Sequence, residues 1–166
     1  MLTVQELMKE IEEKGGLTPA KKIRETAERF PEMVAMREKN FGIWEETTYS
    51  QYWEQAQWVG CALDYYGIDR QDSVAIHSEN RPEWFIADVG IQAIGAISVG
   101  LYPTNPPPEV EYLIGHSESK ILFAEDQEQV DKALEVIDQL PDLKKIIYFE
   151  PRGLTTYDRP LLMTWE

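Results

Sequence analysis

Cysteine is nearly absent. Cys61 is the only one in 166 residues, which excludes an internal disulfide and a thiolate zinc site. It falls inside an apolar helical pattern, and that setting predicts a buried structural thiol. Histidine is scarce as well: His77 and His116 fall in different elements, with no further ligands at metal-binding spacing. Basic charge is short, with 16 Lys+Arg against 30 Asp+Glu and a formal net charge of −14. Binding to a nucleic-acid backbone or an anionic membrane is driven by Lys and Arg neutralising phosphate, so both are disfavoured as partners.

The N-terminus, MLTVQELMKEIEEKGG, is charged and helical with no apolar core, so it does not read as a signal peptide, and the cytoplasm is the expected location. Residues 84–102 form an apolar run nearly long enough to span a bilayer. Asp88 lies in its first third, where a charge costs about 2.5–3.5 kcal/mol, and caps and β-branched residues divide the run in two. No transmembrane segment is expected. GxxxxGK[ST], GxSxG, HExxH and CxxC are all missing.

What is present is a globular composition, 43% hydrophobic with five Trp, eight Tyr and five Phe, enough for one core. The chain is organised around SVAIHSENRPEWFIADVGIQAIGAISVGLYPTNPP, residues 73–107. Residues 73–77 and 97–102 are short β-rich runs. Between them, residues 84–96 are apolar on every side except Asp88 and Gln92, one helical turn apart, so that helix must be covered almost all round. Strand, buried helix and strand read as one right-handed βαβ unit. Asn80 stands at the N-cap with Glu83 three residues on, and Pro82 is tolerated in the first turn. Gly90 and Gly95 cost helix propensity, and together with Ala93 and Ala96 they let another backbone come close. Asp88 and Gln92 read as a helix-edge hydrogen-bond pair.

Upstream, Val4, Leu7, Met8 and Ile11 recur at helical spacing before Gly15-Gly16. Thr18-Pro19 opens a second helix, whose inward stripe is Ala20, Ile23, Ala27 and Phe30 and which stops at Pro31. Residues 33–39 and 43–47 form a hairpin around Asn40-Phe41-Gly42. Thr48, with Gln51 as its box partner, caps a long helix with the stripe Tyr52, Ala56, Val59, Leu63 and Tyr66, and Gly67 is its C′ residue. Trp53 and Trp58 lie off that stripe and predict a second contact surface. Downstream come a helix over 109–117, a strand over 120–124, a helix over 127–140 and a strand over 145–149. The predicted fold is α/β, a parallel doubly wound βαβαβαβ sheet preceded by two helices, a hairpin and a long helix. From Pro151 the pattern stops, and residues 161–165 are apolar with nothing after them to pack on, which reads as a piece of a longer chain.

In open α/β sheets ligands gather at the carboxyl ends of the strands. Here those ends carry Ser78-Glu79-Asn80-Arg81, Pro103-Thr104-Asn105, Glu125-Asp126 and Glu150. A dinucleotide site needs a glycine turn there, and the first turn has none. Arg81 has two candidate roles, holding an anion or pairing with a glutamate, and the pairing is the expected one. The residues yield a fold and no self-contained active site.

Taken in order, TPAKKIRETAERFPEMVAMRE, IWEETTYSQYWEQAQWVGCALDYYGIDRQDSVAIHSENRPEW and GAISVGLYPTNPPPEVEYLIGHSESKILFAED resemble the start of an AMP-forming acyl-CoA synthetase of the adenylate-forming superfamily. Thr48-Tyr49, Asn80-Arg81-Pro82-Glu83-Trp84, Gly95-Ala96 and Tyr102-Pro103-Thr104 are most similar to its long-chain fatty acid branch. The resemblance implies a parent that joins a fatty acid to coenzyme A through an acyl-adenylate, using ATP and Mg2+. It also implies that the Pro-Lys-Gly phosphate loop, the adenosine contacts and the catalytic lysine lie beyond Glu166. No catalytic, cofactor or metal residue is carried over. Tyr102, Pro103 and Thr104 are the positions expected to border a substrate site completed elsewhere.

On that reading residues 1–166 are an incomplete part of an AMP-binding large domain, with a helical lead-in over 1–30, an α/β core over 31–150 and a truncated tail over 151–166, inactive alone. The rival readings are a stand-alone α/β ligand-binding module of flavodoxin or receiver type, and an oligomerisation module that pairs copies through the N-terminal helices and tryptophans.

Overall fold

The computed structural model describes residues 3–13 and 16–165. The side chains of Leu7 and Ile11, and Gly15, lie outside the described residues. Two helices lead in: α1 (Val4–Glu13) and α2 (Pro19–Arg29). Thr18 caps α2 by accepting from the Lys21 amide, with Pro19 at its first position. Ala20 and Ala27 are buried, Ile23 is half-buried, and Phe30 is exposed. That stripe is narrower than its spacing suggests, because Phe30 falls at the cap where the chain turns away.

Strands β1 (Val34–Asn40) and β2 (Ile43–Thr48) pair antiparallel as the expected hairpin. Helix α3 (Tyr49–Tyr65) opens on a complete capping box: Thr48 Oγ1 accepts from the Gln51 amide and Gln51 Oε1 accepts from the Thr48 amide. Gly67 takes φ +74 just past its end, the left-handed C′ conformation that glycine reaches without cost. Cys61 is exposed on this helix, against the expectation of a buried thiol. It sits opposite the inward stripe of Tyr52, Ala56, Val59 and Leu63, a half-turn that apolar composition alone does not separate.

Strand β3 (Ser73–His77), α4 (Pro82–Ala93) and β4 (Ile97–Leu101) form the βαβ unit, with the two strands parallel from Ser73↔Ile97 to His77↔Leu101. The start of α4 departs from the expected cap. Arg81, not Asn80, is the cap residue, and no side chain caps the helix, because Glu83 turns to the Arg81 guanidinium instead of reaching back to the amide. Gly90 is where α3 and α4 touch: a Cβ there would lie 2.6 Å from Val59 Cβ and 2.8 Å from the Ala56 carbonyl oxygen. Gln92 Nε2 donates within the helix, to Asp88 Oδ2 at 2.8 Å.

Then follow α5 (Pro107–His116), β5 (Ile121–Ala124), α6 (Gln127–Glu135), a 3₁₀ turn (Ile137–Gln139), β6 (Lys145–Tyr148) and β7 (Leu162–Thr164). The helix expected to run to 140 breaks after Glu135 and tightens into the 3₁₀ turn before Pro141. The apolar tail is a strand, β7, pairing parallel with β6. Trp165 covers Phe123 and Phe149 edge-on, at ring-centroid distances of 5.7 and 5.2 Å. The residues expected to lack a partner therefore find one within the chain.

The five strands lie in the order β4-β3-β5-β6-β7, all parallel. Counted along the sheet's own chain, this is the doubly wound order 2-1-3-4-5. The pleat sorts side chains by parity. Val74, Ile76, Ile121, Phe123 and Ile147 face the layer of α2, α3 and α4, whereas Ala75, Leu122, Ala124 and Ile146 face that of α5 and α6. Both faces of the sheet are thereby covered, as parallel sheets require.

Candidate functional site at the carboxyl edge of the sheet

From β3 the chain crosses to β4 on one side and later returns to β5 on the other. The crevice between the ends of β3 and β5 is thus the switch point where such sheets take ligands. Here a carboxylate of the chain fills it. Glu125 Oε2 accepts from the Glu79 backbone amide at 2.6 Å and from Ser78 Oγ at 3.2 Å. Ser78 is buried at the end of β3 and also donates to the Glu79 carbonyl.

Arg81 lies beside this crevice. Its Nε and one terminal nitrogen donate to the two oxygens of Glu83 at 2.7 and 3.0 Å, and the other terminal nitrogen is 3.9 Å from Glu125 Oε1. Its guanidinium stands 5.8 Å from the Phe149 ring centroid. The hydrogen bonds that Arg81 donates to Glu83 lead in raising its pKa. The pairing with glutamate expected for Arg81 is present. Glu150 accepts from Arg152, which holds its carboxyl below the usual range. Asp126 caps α6 by accepting from the Glu128 amide.

A second cluster holds the turn after β4. His77 is fully buried, and its Nε2 lies 3.1 Å from the Tyr102 carbonyl oxygen. A carbonyl only accepts, so Nε2 carries the proton and Nδ1 is the bare nitrogen. Burial, reinforced by the nearby Lys132, pushes the His77 pKa down to about 4. Lys132 Nζ donates to the Pro103 carbonyl at 2.6 Å and pairs with Glu128 at 2.7 Å. Asn105 closes the turn through its amide to the Tyr102 carbonyl and its side chain to Glu109. Two consecutive carbonyls are therefore pinned from β3 and α6. The ring of Tyr102 is 78% exposed, Thr104 is exposed, and Pro103 is half-buried.

The three positions expected to border a site thus stand together on an anchored turn at the sheet's carboxyl edge. The sequence reading missed the anchors. His77 is the last residue of an apolar strand and Lys132 belongs to a helix 29 residues after Pro103, so no spacing links them. An open cleft of about 460 Å3 lies nearby, between the hairpin and the start of α4, walled by Ile23, Met36, Tyr49, Tyr52, Arg81 and Phe85. Tyr52 Oη donates to the Phe85 carbonyl at 3.0 Å there. An apolar groove of about 380 Å3 runs between α3 and the β5–β7 face, walled by Trp58, Leu63, Phe123, Met163 and Trp165. Trp53 packs against the core, whereas Trp58 on the groove rim is 63% exposed. Among the described residues, no group of three or more His, Cys, Asp or Glu side chains is placed to hold a metal ion.

A parallel 2-1-3-4-5 sheet covered on both faces, with a hairpin and helical lead-in before it, defines a doubly wound α/β fold. The chain belongs to the AMP-binding enzyme family, whose model matches residues 23–159. It is 36% identical over 143 residues to the long-chain-fatty-acid–CoA ligase ACSBG2 of Xenopus laevis, an alignment covering 86% of this chain and 19% of that protein. To the human long-chain-fatty-acid–CoA ligase ACSBG1 it is 33% identical over 128 residues, covering 76% of this chain and 18% of that one. Among solved structures, the anthranilate CoA ligase AuaEII superposes with a TM-score of 0.73 at 25% identity, over 78% of this chain and 24% of its own. Coronafacic acid ligase from Pectobacterium brasiliense superposes with a TM-score of 0.78 at 20% identity, over 90% of this chain and 29% of its own. The chain spans less than a fifth of the length of the two curated relatives, 19% and 18%.

Proposed function

We propose that the chain is part of the large domain of an ATP-dependent, AMP-forming fatty acyl-CoA synthetase, to which it contributes framework rather than catalytic groups. In the parent, a fatty acid carboxylate oxygen attacks the α-phosphorus of ATP and pyrophosphate leaves. The thiol sulfur of coenzyme A then attacks the acyl carbon, loses its proton, and AMP leaves. ATP, Mg2+ and coenzyme A belong to that whole enzyme, which works in the cytoplasm in fatty acid metabolism. The similarity to long-chain-fatty-acid–CoA ligases supports the substrate class.

One observation carries the reading of this chain as framework: Glu125 already occupies the backbone amide at the switch point. Holding a triphosphate takes converging amides, free cations and a metal between phosphate oxygens. Here Arg81 is engaged by Glu83, and Lys132 by Glu128 and a carbonyl. The residues at this edge do not fit a nucleoside triphosphate. The anchored turn of Tyr102, Pro103 and Thr104 borders the substrate site that the remainder of the enzyme completes.

Calorimetric titration with Mg-ATP, followed by a pyrophosphate-release assay with a medium-chain and a long-chain fatty acid, tests this. The expected result is no binding heat and no release above a heat-killed control. Micromolar affinity or measurable turnover would sink the framework reading. The rival oligomerisation module would show as a stable homo-oligomer by sedimentation, together with that null result.

A further inference from the structure

His77 is an unexpected residue at the end of its strand. Val74, Ala75 and Ile76 before it are buried and apolar, and an apolar side chain would complete that run at no polar cost. The imidazole instead buries a ring nitrogen, Nδ1, that has no hydrogen-bond partner among the described residues, which is unfavourable in itself. What the ring supplies in return is one donor, from Nε2 to the Tyr102 carbonyl at 3.1 Å. That oxygen is satisfied without it. Tyr102, Pro103, Thr104 and Asn105 form a β-turn with proline at its second position, closed by the Asn105 amide on the same Tyr102 oxygen at 2.9 Å. The turn is shaped by its own bond, and the imidazole takes the oxygen's second lone pair.

A turn closed only on itself keeps its shape but can swing about its ends. Two bonds to the body of the domain stop this one. His77 from β3 holds the Tyr102 carbonyl, and Lys132 Nζ from α6 holds the next carbonyl, that of Pro103, at 2.6 Å. Glu128 steadies the ammonium at 2.7 Å. Two donors from two elements on adjacent carbonyls fix a direction as well as a place. We propose that His77 and Lys132 are positioning residues that orient the turn of residues 102–105 against the acyl substrate. The proposal rests on the reading of this turn as a border of the substrate site. Of the substrates in that reading, ATP and coenzyme A bring phosphates. Glu79, Glu125 and Asp126 along the same edge repel these, while Arg81 and Lys132 are already engaged. The hydrocarbon of a fatty acid brings no charge, and a tyrosine ring beside a proline suits it.

Residual dipolar couplings, measured by NMR on the weakly aligned chain, test the clamp. In the wild type the Thr104 and Asn105 amides should fit the same alignment as those of Ile121–Ala124. His77→Leu and Lys132→Met should each leave the strand couplings unchanged and shrink those of the turn. His77→Gln, which keeps a donor close to the place of Nε2, should restore them. The 15N signals of the His77 ring should show a protonated Nε2 and a bare Nδ1 near neutral pH. In the whole enzyme, His77→Leu should raise KM for a long-chain fatty acid about tenfold and leave kcat and KM for ATP near wild type, the pattern of lost uniform binding. His77→Gln should reverse most of that rise. Turn couplings unmoved by both variants, the opposite ring tautomer, or an unchanged KM for the fatty acid would each overturn the proposal. A wild-type enzyme without ligase turnover would instead remove the reading on which the acyl substrate rests, and the couplings would still decide the clamp.

Discussion

Glu79 and Glu125, two acidic residues 46 apart in sequence, meet through a backbone amide: the Glu79 N–H donates to Glu125 Oε2 at 2.6 Å. The contact joins the first and third strands of the sheet where the winding changes direction. Glu125→Ala would leave the Glu79 amide and Ser78 Oγ without this acceptor and remove a second carboxylate from Arg81. A loss of about 1–3 kcal/mol is expected, the range for orphaning part-buried polar groups. Urea denaturation would measure it, and Glu125→Gln, which keeps an acceptor oxygen, should recover part of the loss.

Gly90 tests how tightly α3 and α4 are joined. In an open helix Gly→Ala gains about 1 kcal/mol. Here the added methyl meets Val59 Cβ at 2.6 Å and the Ala56 carbonyl oxygen at 2.8 Å, and overpacking costs about 1–3 kcal/mol. Backbone cannot retreat as a flexible side chain can, so the clash wins and Gly90→Ala should lower the urea midpoint. Adding Val59→Ala should restore only a small part of the loss, because it removes the Cγ1 contact at 2.7 Å and leaves those with the residue-59 Cβ and the Ala56 carbonyl.

His77 makes stability depend on pH. Its pKa falls from 6.5 to about 4 on folding, so between those values the unfolded chain holds a proton that the folded chain refuses. The contribution is full above pH 6.5, is lost as pH falls, and levels off near pH 4. It amounts to about 3 kcal/mol at 1.36 kcal/mol per unit. Lys132 faces the ring and opposes its protonation, while Glu128 favours it. Asp72, held low chiefly by Lys120, loses its share below the ordinary carboxylate range and does not blur this window. Denaturation midpoints at pH 7.5 and 4.5 should differ clearly in the wild type and much less in His77→Gln.

Trp165→Ala should cost about 2 kcal/mol, below the 3–5 typical of a fully buried aromatic because the ring is only half-buried. It would also strip the edge contacts from Phe123 and Phe149. Near-ultraviolet circular dichroism and urea unfolding would report the two effects separately.

Local chemistry made much of this architecture readable. The Thr48–Gln51 box, Pro19 after Thr18, Gly67 and the alternation from Ser73 onward each act within a few residues, and each stands where its chemistry places it. Long-range relationships were not readable in the same way. One local choice was also open: Glu83 had two uses, the helix-start amide or the Arg81 guanidinium two residues away, and it takes the second. The side chain of Cys61 lies a half-turn from the inward stripe, beyond what composition resolves. Residues 161–165 lacked a successor in sequence, yet β6, 17 residues back from Leu162 at Lys145, supplies the pairing. At the candidate site the strand ends were foreseen; the two anchors of the turn, His77 and Lys132, come from elements whose approach no spacing encodes.

The link between β6 and β7 contains no helix, unlike the three preceding strand-to-strand links of the sheet. The final strand is therefore held by one ladder, from Ile146↔Leu162 to Tyr148↔Thr164, by the Trp165 indole, and by Met163, whose sulfur accepts from Tyr66 Oη. Such a segment can open without disturbing the layers beneath it, as a unit of lower stability than the whole. In deuterated water the amides of residues 162 and 165, which bond to Arg159 and Tyr148 carbonyls, should exchange through this partial opening. Those of Ile121 to Ala124, enclosed between two strands and two helical layers, should wait for global unfolding.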